Sequence, residues 1–168
     1  MEVFLMNTEK NLAAAFAGES QANRKYLAFA KQADAEGYTQ IAKLFRATAE
    51  AETIHAHAHF KNMGMIKSTA ENLKAAIAGE TYEYSVMYPE FIKEAQAEGN
   101  KSVVRAFTLA NEAEKVHAEL YGKALANLEA KGSSDYYLCT ICGHIHEGSA
   151  PDICPICGAK ATAYNKFD

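Results

Sequence analysis

The sequence has no tryptophan and only three prolines, and one proline alone, Pro89, precedes the first cysteine, Cys139. It has no apolar run of the roughly 18 residues that a transmembrane helix needs. Its first residues, MEVFLMNTEK, lack the basic start and apolar stretch of a secretion signal. The formal net charge of −4 gives no general electrostatic attraction to nucleic acid or an anionic membrane. These absences favour a cytoplasmic protein that binds neither.

The scarcity of proline leaves the range 1–131 free to form long helices, since it is rich in Ala, Glu, Lys and Leu. Apolar side chains recur there at helical spacing, and turns containing glycine interrupt the pattern. The sequence therefore predicts four helices, at residues 3–36, 38–63, 70–98 and 100–131, with a bend in the third at Pro89. We expect them to form an all-α four-helix bundle.

Cysteine is absent from the helical part and concentrated near the C-terminus. All four cysteines lie between residues 139 and 157, as two Cys-x-x-Cys pairs in a glycine-rich stretch without helical period. In a reducing compartment this pattern favours a metal over disulfides. The chain is therefore expected to divide into a helical domain, 1–131, a Gly-Ser linker, 132–135, and a small β or loop domain held by metal, 136–168.

The helical part contains an internal repeat. The stretch EAETIH at 50–55 returns, at an offset of 62, as EAEKVH at 112–117. Matches at the same offset are Tyr26 with Tyr88, Phe29 with Phe91 and Phe45 with Phe107, and a match at an offset of 61 is AGES (17–20) with AGET (78–81). The bundle is therefore expected to be a duplicated helical hairpin.

Each copy of the repeat contains a Glu-x-x-His motif. Glu52 and His55 lie three residues apart on one predicted helix, and Glu114 and His117 on another, so each pair reaches one side of its helix. A single such motif is ordinarily a solvated helix face, but two at repeat-related positions predict metal ligands. The first glutamate of each copy is turned off that face and is expected at solvent or at an interface.

Three further glutamates lie at mid-length of the other two predicted helices: Glu19 in the first, and Glu80 and Glu83 in the third. Five carboxylates inside a bundle need compensating positive charge, which two irons supply. A glutamate from each of two helices plus Glu-x-x-His from each of the other two is the di-iron carboxylate pattern of ferritin-like bundles.

The two cysteine pairs predict a second metal site. Its four expected ligands are Cys139, Cys142, Cys154 and Cys157. Four thiolates make a closed tetrahedral site without a place for substrate. Spacing alone leaves iron, which would pass single electrons, and zinc, which would be structural, both open; the predicted di-iron site favours iron because it needs an electron source. His144 and His146 are not expected to be ligands, since four cysteines saturate the metal.

Together the two parts resemble one family, the rubrerythrins, in which a rubredoxin-like domain follows a ferritin-like di-iron bundle. The motifs that carry the resemblance are AFAGESQANRKY (15–26), EAETIH, AGETYEYSVMYP (78–89), EAEKVH, CTICGHIHEG (139–148) and CPICG (154–158). They cover essentially the whole chain. The segment between Cys142 and Cys154, 143–153, is shorter than in free-standing rubredoxins and similar to that in the tail of rubrerythrins.

The resemblance implies a role for each metal-site residue. The implied roles are bridging ligands for Glu52 and Glu114, terminal ligands of one iron for Glu80 and His117, terminal ligands of the other for Glu19 and Glu83, and ligands of a rubredoxin-type iron for the four cysteines. In the family, the second iron exchanges the glutamate matching Glu83 for the histidine matching His55 on reduction. These two are therefore the implied catalytic residues.

The implied function is that of a non-haem di-iron peroxidase in peroxide defence. Its oxo- and carboxylate-bridged irons would reduce hydrogen peroxide to water, with electrons relayed through the cysteine-bound iron from an external NAD(P)H-linked reductase or a rubredoxin. The chain has no G-x-G-x-x-G turn, so the reductase would be another protein. A ferroxidase or iron store, an oxygen reductase and a non-catalytic zinc-ribbon module remain alternatives; Glu83 and the cysteine tail argue against storage.

One departure from many relatives is the link between the second and third predicted helices, which is short. A ferritin-like bundle needs these helices roughly parallel, but about six extended residues reach about 20 Å, and the second helix is about 39 Å long. We therefore expect two chains to exchange hairpins, giving a homodimer or higher oligomer whose di-iron sites each draw on two chains. An up-down-up-down bundle is the alternative.

Overall fold

The computed structural model describes residues 2–130 and 132–167, with side chains from residue 7 onward. Its α-helices are α1, Glu2–Ala35; α2, Thr39–Asn62; α3, Thr69–Tyr82; α4, Tyr88–Ala97; and α5, Lys101–Ala126. A π-helical turn at Glu83–Met87 joins α3 to α4, so that the two form one long helix. The four predicted long helices are confirmed. Among the helices described, none is long and apolar enough to cross a membrane.

One detail of the predicted helices is wrong. The fourth helix ends at Ala126 rather than at 131, because the Asn127 carboxamide caps the carbonyl of Lys123 at 2.9 Å and a 3₁₀ turn follows. The bend expected at Pro89 stays a prediction. Pro89 follows the π turn Glu83–Met87 by two residues within this continuous helix, so the hydrogen bond that it cannot donate falls where the backbone already departs from the α-helical pattern.

The first of two compact units extends to Lys67 and is the hairpin of α1 and α2. Small side chains let the two helices approach closely, since Ala30, Ala42 and Ala49 are almost fully buried. Across this contact the Asn23 carboxamide donates to the backbone carbonyl of Ala49 at 2.7 Å. Alanine therefore lines the inner side of the hairpin.

The second unit begins at Ser68 and contains α3 to α5 and the cysteine-rich region. Its helices repeat an aromatic cluster of the first unit. The ring distances are 6.0 Å for Tyr88–Phe107 and 5.7 Å for Phe91–Phe107, beside 6.1 Å for Tyr26–Phe45 and 5.6 Å for Phe29–Phe45. Residues that match at an offset of 62 thus make matching contacts, which supports the duplicated hairpin.

The cysteine-rich region forms a three-stranded antiparallel sheet. Its strands are β1, Tyr136–Cys139; β2, Ile145–Glu147; and β3, Tyr164–Phe167, in the order β2-β1-β3. The buried side chains at its centre are Cys139, Cys154 and Tyr164. Because cysteines occupy the place of an apolar core, a bound metal is expected to hold this region together.

Candidate metal centres

The first cluster of ligand-type side chains lies in the α1–α2 hairpin. Glu19 on α1 and Glu52 and His55 on α2 offer ligand atoms within 4.8 Å of one another. His55 Nδ1 lies 3.0 Å from Glu52 Oε2. A hydrogen bond between the two carboxyl groups raises the pKa of Glu19 and lowers that of Glu52. The side chain of His55 is 56% exposed, whereas that of Glu52 is only 14% exposed.

The second cluster is its counterpart in the other unit. Glu80 on α3 and Glu114 and His117 on α5 also offer ligand atoms within 4.8 Å of one another. His117 Nδ1 lies 2.6 Å from Glu114 Oε2 and 3.9 Å from Glu80 Oε2. Burial, a hydrogen bond to Glu114 and the charge of Glu114 raise the pKa of Glu80 to about 7. Carboxylate and imidazole donors so grouped suit a divalent metal.

Repeat-related residues therefore make equivalent clusters in the two units. Six of the seven side chains predicted at the di-iron site belong to them. The first glutamates of the two motifs, Glu50 and Glu112, are exposed, as the helical geometry predicts. Each cluster has two carboxylates and one imidazole, which is half of the donor set of a ferritin-like di-iron site.

The seventh predicted ligand, Glu83, begins the π-helical turn Glu83–Met87. Its side chain is partly buried, and burial together with the charge of Glu114 raises its pKa. The turn has a sequence cause: the repeat offset is 61 at AGET (78–81) but 62 from Tyr88 onward, so one residue is inserted between them. A π turn accommodates one extra residue in a helix. This change of offset is the sequence signal from which the π turn could have been predicted.

The four cysteines form the third cluster. The Sγ–Sγ distance is 3.7 Å for Cys139–Cys157 and 3.6 Å for Cys142–Cys154. Four sulfurs at about 2.3 Å around one tetrahedral metal lie about 3.8 Å apart, whereas a disulfide needs about 2.05 Å. The geometry fits a metal ion and excludes disulfides in this arrangement.

Backbone N–H groups point at these sulfurs, as expected for thiolate ligands. Burial opposes ionisation of Cys154, but hydrogen bonds from the Cys157 N–H, the Tyr164 hydroxyl and the Ile156 N–H lower its pKa to about 6. Burial raises the pKa of Cys142, although the His144 N–H acts in the opposite direction. The region thus supplies several hydrogen-bond donors to sulfur.

The glycine that follows each cysteine pair adopts a left-handed backbone conformation. Gly143 has φ +82° and Gly158 has φ +76°, a region that side chains rarely adopt. Their N–H groups donate to the carbonyls of Cys139 and Cys154, both at 3.0 Å. The left-handed turns close the two loops around the sulfurs.

A hydrogen bond joins the second and third clusters within the second unit. His117 Nε2–H donates to the backbone carbonyl of Gly143 at 2.9 Å. Gly143 directly follows Cys142, and a Cβ built on it would lie 4.0 Å from the Cβ of Ala113 on α5. The bond places the proton of His117 on Nε2, which leaves Nδ1 free for a metal. Nothing in the sequence pattern predicts this contact.

Comparison with known proteins agrees with this pair of centres. A family profile described as rubrerythrin matches residues 10–125, and one described as the rubrerythrin rubredoxin-like domain matches residues 137–165. The chain belongs to the rubrerythrin family. Its cofactor complement is that of the family, a ferritin-like di-iron site plus a four-cysteine rubredoxin-type iron site, and both the fold class and the cofactors are confirmed.

Relatives of this rubrerythrin include nigerythrin from Nitratidesulfovibrio vulgaris, 44% identical over 90% of this chain and 82% of the relative. A rubrerythrin from Porphyromonas gingivalis is 40% identical over 94% of this chain and 88% of the relative. A solved structure of partially reduced nigerythrin is 42% identical over 95% of this chain and 86% of its own, with a TM-score of 0.60. Members of the family are oxidoreductases that generally reduce peroxide.

Proposed function

We propose that this rubrerythrin reduces hydrogen peroxide to water at its di-iron site and receives electrons through its cysteine-bound iron. When bound, the irons supply two-electron reduction at the first site and one-electron transfer at the second. The observation that carries the proposal is the hydrogen bond from His117 to Gly143, since it connects the two centres. An iron store or a structural zinc ribbon has no need of such a connection.

The ligand roles that we propose are those that the family resemblance implies. Glu52 and Glu114 would be bridging ligands, Glu80 with His117 and Glu19 with Glu83 would be terminal ligands, and Cys139, Cys142, Cys154 and Cys157 would bind the single iron. All of these except Glu83 belong to the clusters described above. In each unit the bridging glutamate precedes its histidine by one helical turn, so both are positioned by the same rigid helix.

Glu83 and His55 are the proposed catalytic residues, which would exchange as ligands of one iron. Within its own hairpin the His55 side chain is 56% exposed, so its place at the metal would be set by the hairpin that completes the site. Glu83 lies on the π turn, where backbone hydrogen bonding departs from the α-helical ladder. Glu83→Ala and His55→Ala are each expected to slow peroxide turnover strongly, with Glu112→Gln, an exposed glutamate on α5, as the control. Unchanged turnover in both alanine variants would remove the exchange.

The proposed electron route is short. It runs from the thiolate of Cys142 along the backbone to the Gly143 carbonyl, and through one hydrogen bond of 2.9 Å to the imidazole of His117. Nδ1 on the opposite edge of that ring faces Glu114 and Glu80. The electrons would enter the cysteine-bound iron from an external NAD(P)H-linked reductase or a rubredoxin.

The site is proposed to combine hairpins of two chains. The link between α2 and α3 has six residues, 63–68, and spans about 20 Å when extended. The 24 residues of α2 are about 36 Å long, so the link cannot run along the helix as a ferritin-like crossover requires. The first hairpin also exposes large apolar side chains, among them Leu44 at 66% and Ile54 at 63%, which a second copy would cover.

Complementation tests this exchange. Glu52→Ala and Glu114→Ala are each expected to inactivate a dimer made of that variant alone. In a mixed dimer, one site would combine both lesions and the other would combine two intact hairpins. When equal amounts of the two variants are refolded together, about half of the dimers are mixed and each has one intact site of two. About a quarter of wild-type activity should therefore return. No restoration in an isolated mixed dimer would exclude the exchange.

The decisive test of function follows both iron chromophores after rapid anaerobic mixing of the fully reduced protein with peroxide. We expect the di-iron site to oxidise first and the cysteine-bound iron to follow. A parallel experiment uses air-saturated buffer. Equal or faster oxidation by air would contradict a peroxidase and favour oxygen reduction, and a large iron-to-protein ratio after aerobic iron loading would favour storage.

A further inference from the structure

The motif AFAGESQANRKY (15–26) contains Asn23, which has no part in the proposed ligand roles. Asn23 lies on α1, and its carboxamide reaches across to α2. Its Nδ2 donates to the backbone carbonyl of Ala49 at 2.7 Å and to Thr53 Oγ1 at 2.8 Å. The Thr53 hydroxyl in turn donates to the same carbonyl at 3.2 Å. The three bonds form a closed triangle between the two helices, which we call the Asn23 tie.

The partners determine the orientation of the amide. A backbone carbonyl can only accept, so the nitrogen of the Asn23 side chain, and not its oxygen, must face Ala49. An amide nitrogen carries two N–H groups, and both are used, one on the carbonyl and one on the Thr53 hydroxyl. Asn23 and Thr53 are partly buried. A buried set of matched donors and acceptors is specific in both distance and direction.

The Asn23 tie lies at the level of the first ligand cluster. Glu19 is one helical turn before Asn23 on α1, and Glu52 is next to Thr53 on α2. Both carboxylates must approach one metal, so an error in the rotation or register of either helix separates them. The turn that joins the helices is distant, since Glu19 is 16 residues before Ala35, about 24 Å along the helix.

The apolar part of the contact between α1 and α2 specifies their register less sharply. It is lined by alanine, and Ala30, Ala42 and Ala49 are almost fully buried. Methyl groups form low ridges, so a small shift of one alanine surface along another changes the packing little. The rings of Phe16 and Phe60 stack at 4.8 Å, and stacked rings tolerate a range of offsets. A satisfied polar contact between helices fixes register more sharply than such surfaces do.

The residues of the Asn23 tie are not repeated in the second hairpin. At the offset of 62, the positions of its other two members are occupied by Asn111 and Lys115. The position that matches Asn23 falls within the π turn Glu83–Met87. The first hairpin therefore aligns its ligands by a cross-link, whereas the second carries one of its proposed ligands on an irregular turn.

We propose that Asn23 is a positioning residue, which fixes the alignment of α1 and α2 so that Glu19 and Glu52 bind the same metal. It acts through its bonds to the carbonyl and the hydroxyl on α2. The inference rests on the ligand roles proposed for these two glutamates. It concerns the retention and pairing of the irons rather than the reduction of peroxide.

The test replaces the tie by apolar groups in the full-length, iron-loaded protein. Asn23→Leu with Thr53→Val removes all three bonds but keeps side chains of similar shape, so stability in urea should change little. Release of the carboxylate-bound iron to a ferrous chelator should become about tenfold faster. The cysteine-bound iron, followed by its own absorption band, should be released at the wild-type rate. The fraction of ferric iron present as exchange-coupled pairs, measured by Mössbauer spectroscopy, should fall.

Further variants separate positioning from packing. Thr53→Ser retains the hydroxyl and should keep iron release and pairing near wild type, whereas Thr53→Val should not. The control is Ser20→Ala, next to Glu19, which removes a partly buried bond of 2.6 Å to the Phe16 carbonyl within α1. It should leave release and pairing unchanged. Asn23→Leu and Thr53→Val should combine to less than the sum of their separate effects, since each breaks the same tie.

Wild-type iron release and pairing in the double variant would overturn the proposal, as would equal acceleration in Ser20→Ala or at the cysteine-bound iron. Lowered stability without faster release would also contradict it. Should the double variant not fold, the comparison of Thr53→Val with Thr53→Ser decides by itself. Neither readout uses peroxide, so failure of the peroxidase assay would leave the proposal intact. Absence of paired iron in the wild-type protein would instead remove the ligand roles on which it rests.

Discussion

The carboxyl group of Glu80 is expected to make metal binding at the bundle site depend on pH. Burial, the hydrogen bond to Glu114 and the charge of that group raise the pKa of Glu80 to about 7. Because a metal ligand must be deprotonated, the proton has to leave when metal enters. A group of this pKa is about nine-tenths protonated at pH 6 and about one-tenth at pH 8. Protonation of Glu80 alone should therefore lower the apparent metal affinity about tenfold from pH 8 to pH 6.

The assay is anaerobic calorimetric titration of metal-free protein with ferrous ion, in buffers of different ionisation enthalpy, which counts the protons released. Glu80→Gln should bind metal more weakly at every pH and release about one proton fewer than wild type at pH 6. The exposed Glu112→Gln should release as many protons as wild type. Equal release by wild type and Glu80→Gln at pH 6 would refute this explanation.

Three further outcomes follow from the same geometry. Glu80 keeps in the folded state a proton that the unfolded chain has lost, so the urea midpoint of the metal-free protein should fall as pH rises from about 4.5 to about 7, and Glu80→Gln should flatten that slope. Ala113→Val enlarges a buried side chain beside Gly143 and should destabilise the fold by about 1–3 kcal/mol. In stopped-flow traces it should slow electron transfer between the centres but leave peroxide oxidation of the di-iron site unaffected. The same delay in Ala118→Val, also buried on α5, would contradict the route. Gly143→Ala and Gly158→Ala should each cost about 1–2 kcal/mol of backbone strain, measured as faster metal loss to a chelator; normal retention in both would show that the left-handed turns are not needed.

The local pattern of the sequence was sufficient to predict most of the ligand-type side chains that the structure brings together. Glu52 and His55 share a helix face because three residues make nearly one turn, and the duplicated motif places Glu114 and His117 in the same way. The paired cysteines likewise meet at metal-binding distances. These predictions rest on interactions within one helix or one short loop, where spacing alone sets geometry.

The π turn at Glu83 lies between local and tertiary control. A change in repeat offset marks the inserted residue, but an insertion can equally be absorbed by a loop or a shift of register. The end of α5 was predicted several residues too late, since residues with good helix propensity continue beyond Ala126. Helix propensity alone does not say where the chain must leave the helix.

By itself the sequence determined the long helices, the duplicated hairpin and the four-cysteine region, because periodicity, proline scarcity and close ligand spacing act over a few residues. Only the tertiary structure decided that His117 hydrogen-bonds Gly143, 26 residues away, and that His144 reaches Tyr164, 20 residues away. Both contacts depend on how separate elements pack, which no short-range pattern records. The first of them is also the contact through which the protein is proposed to connect its two metal centres.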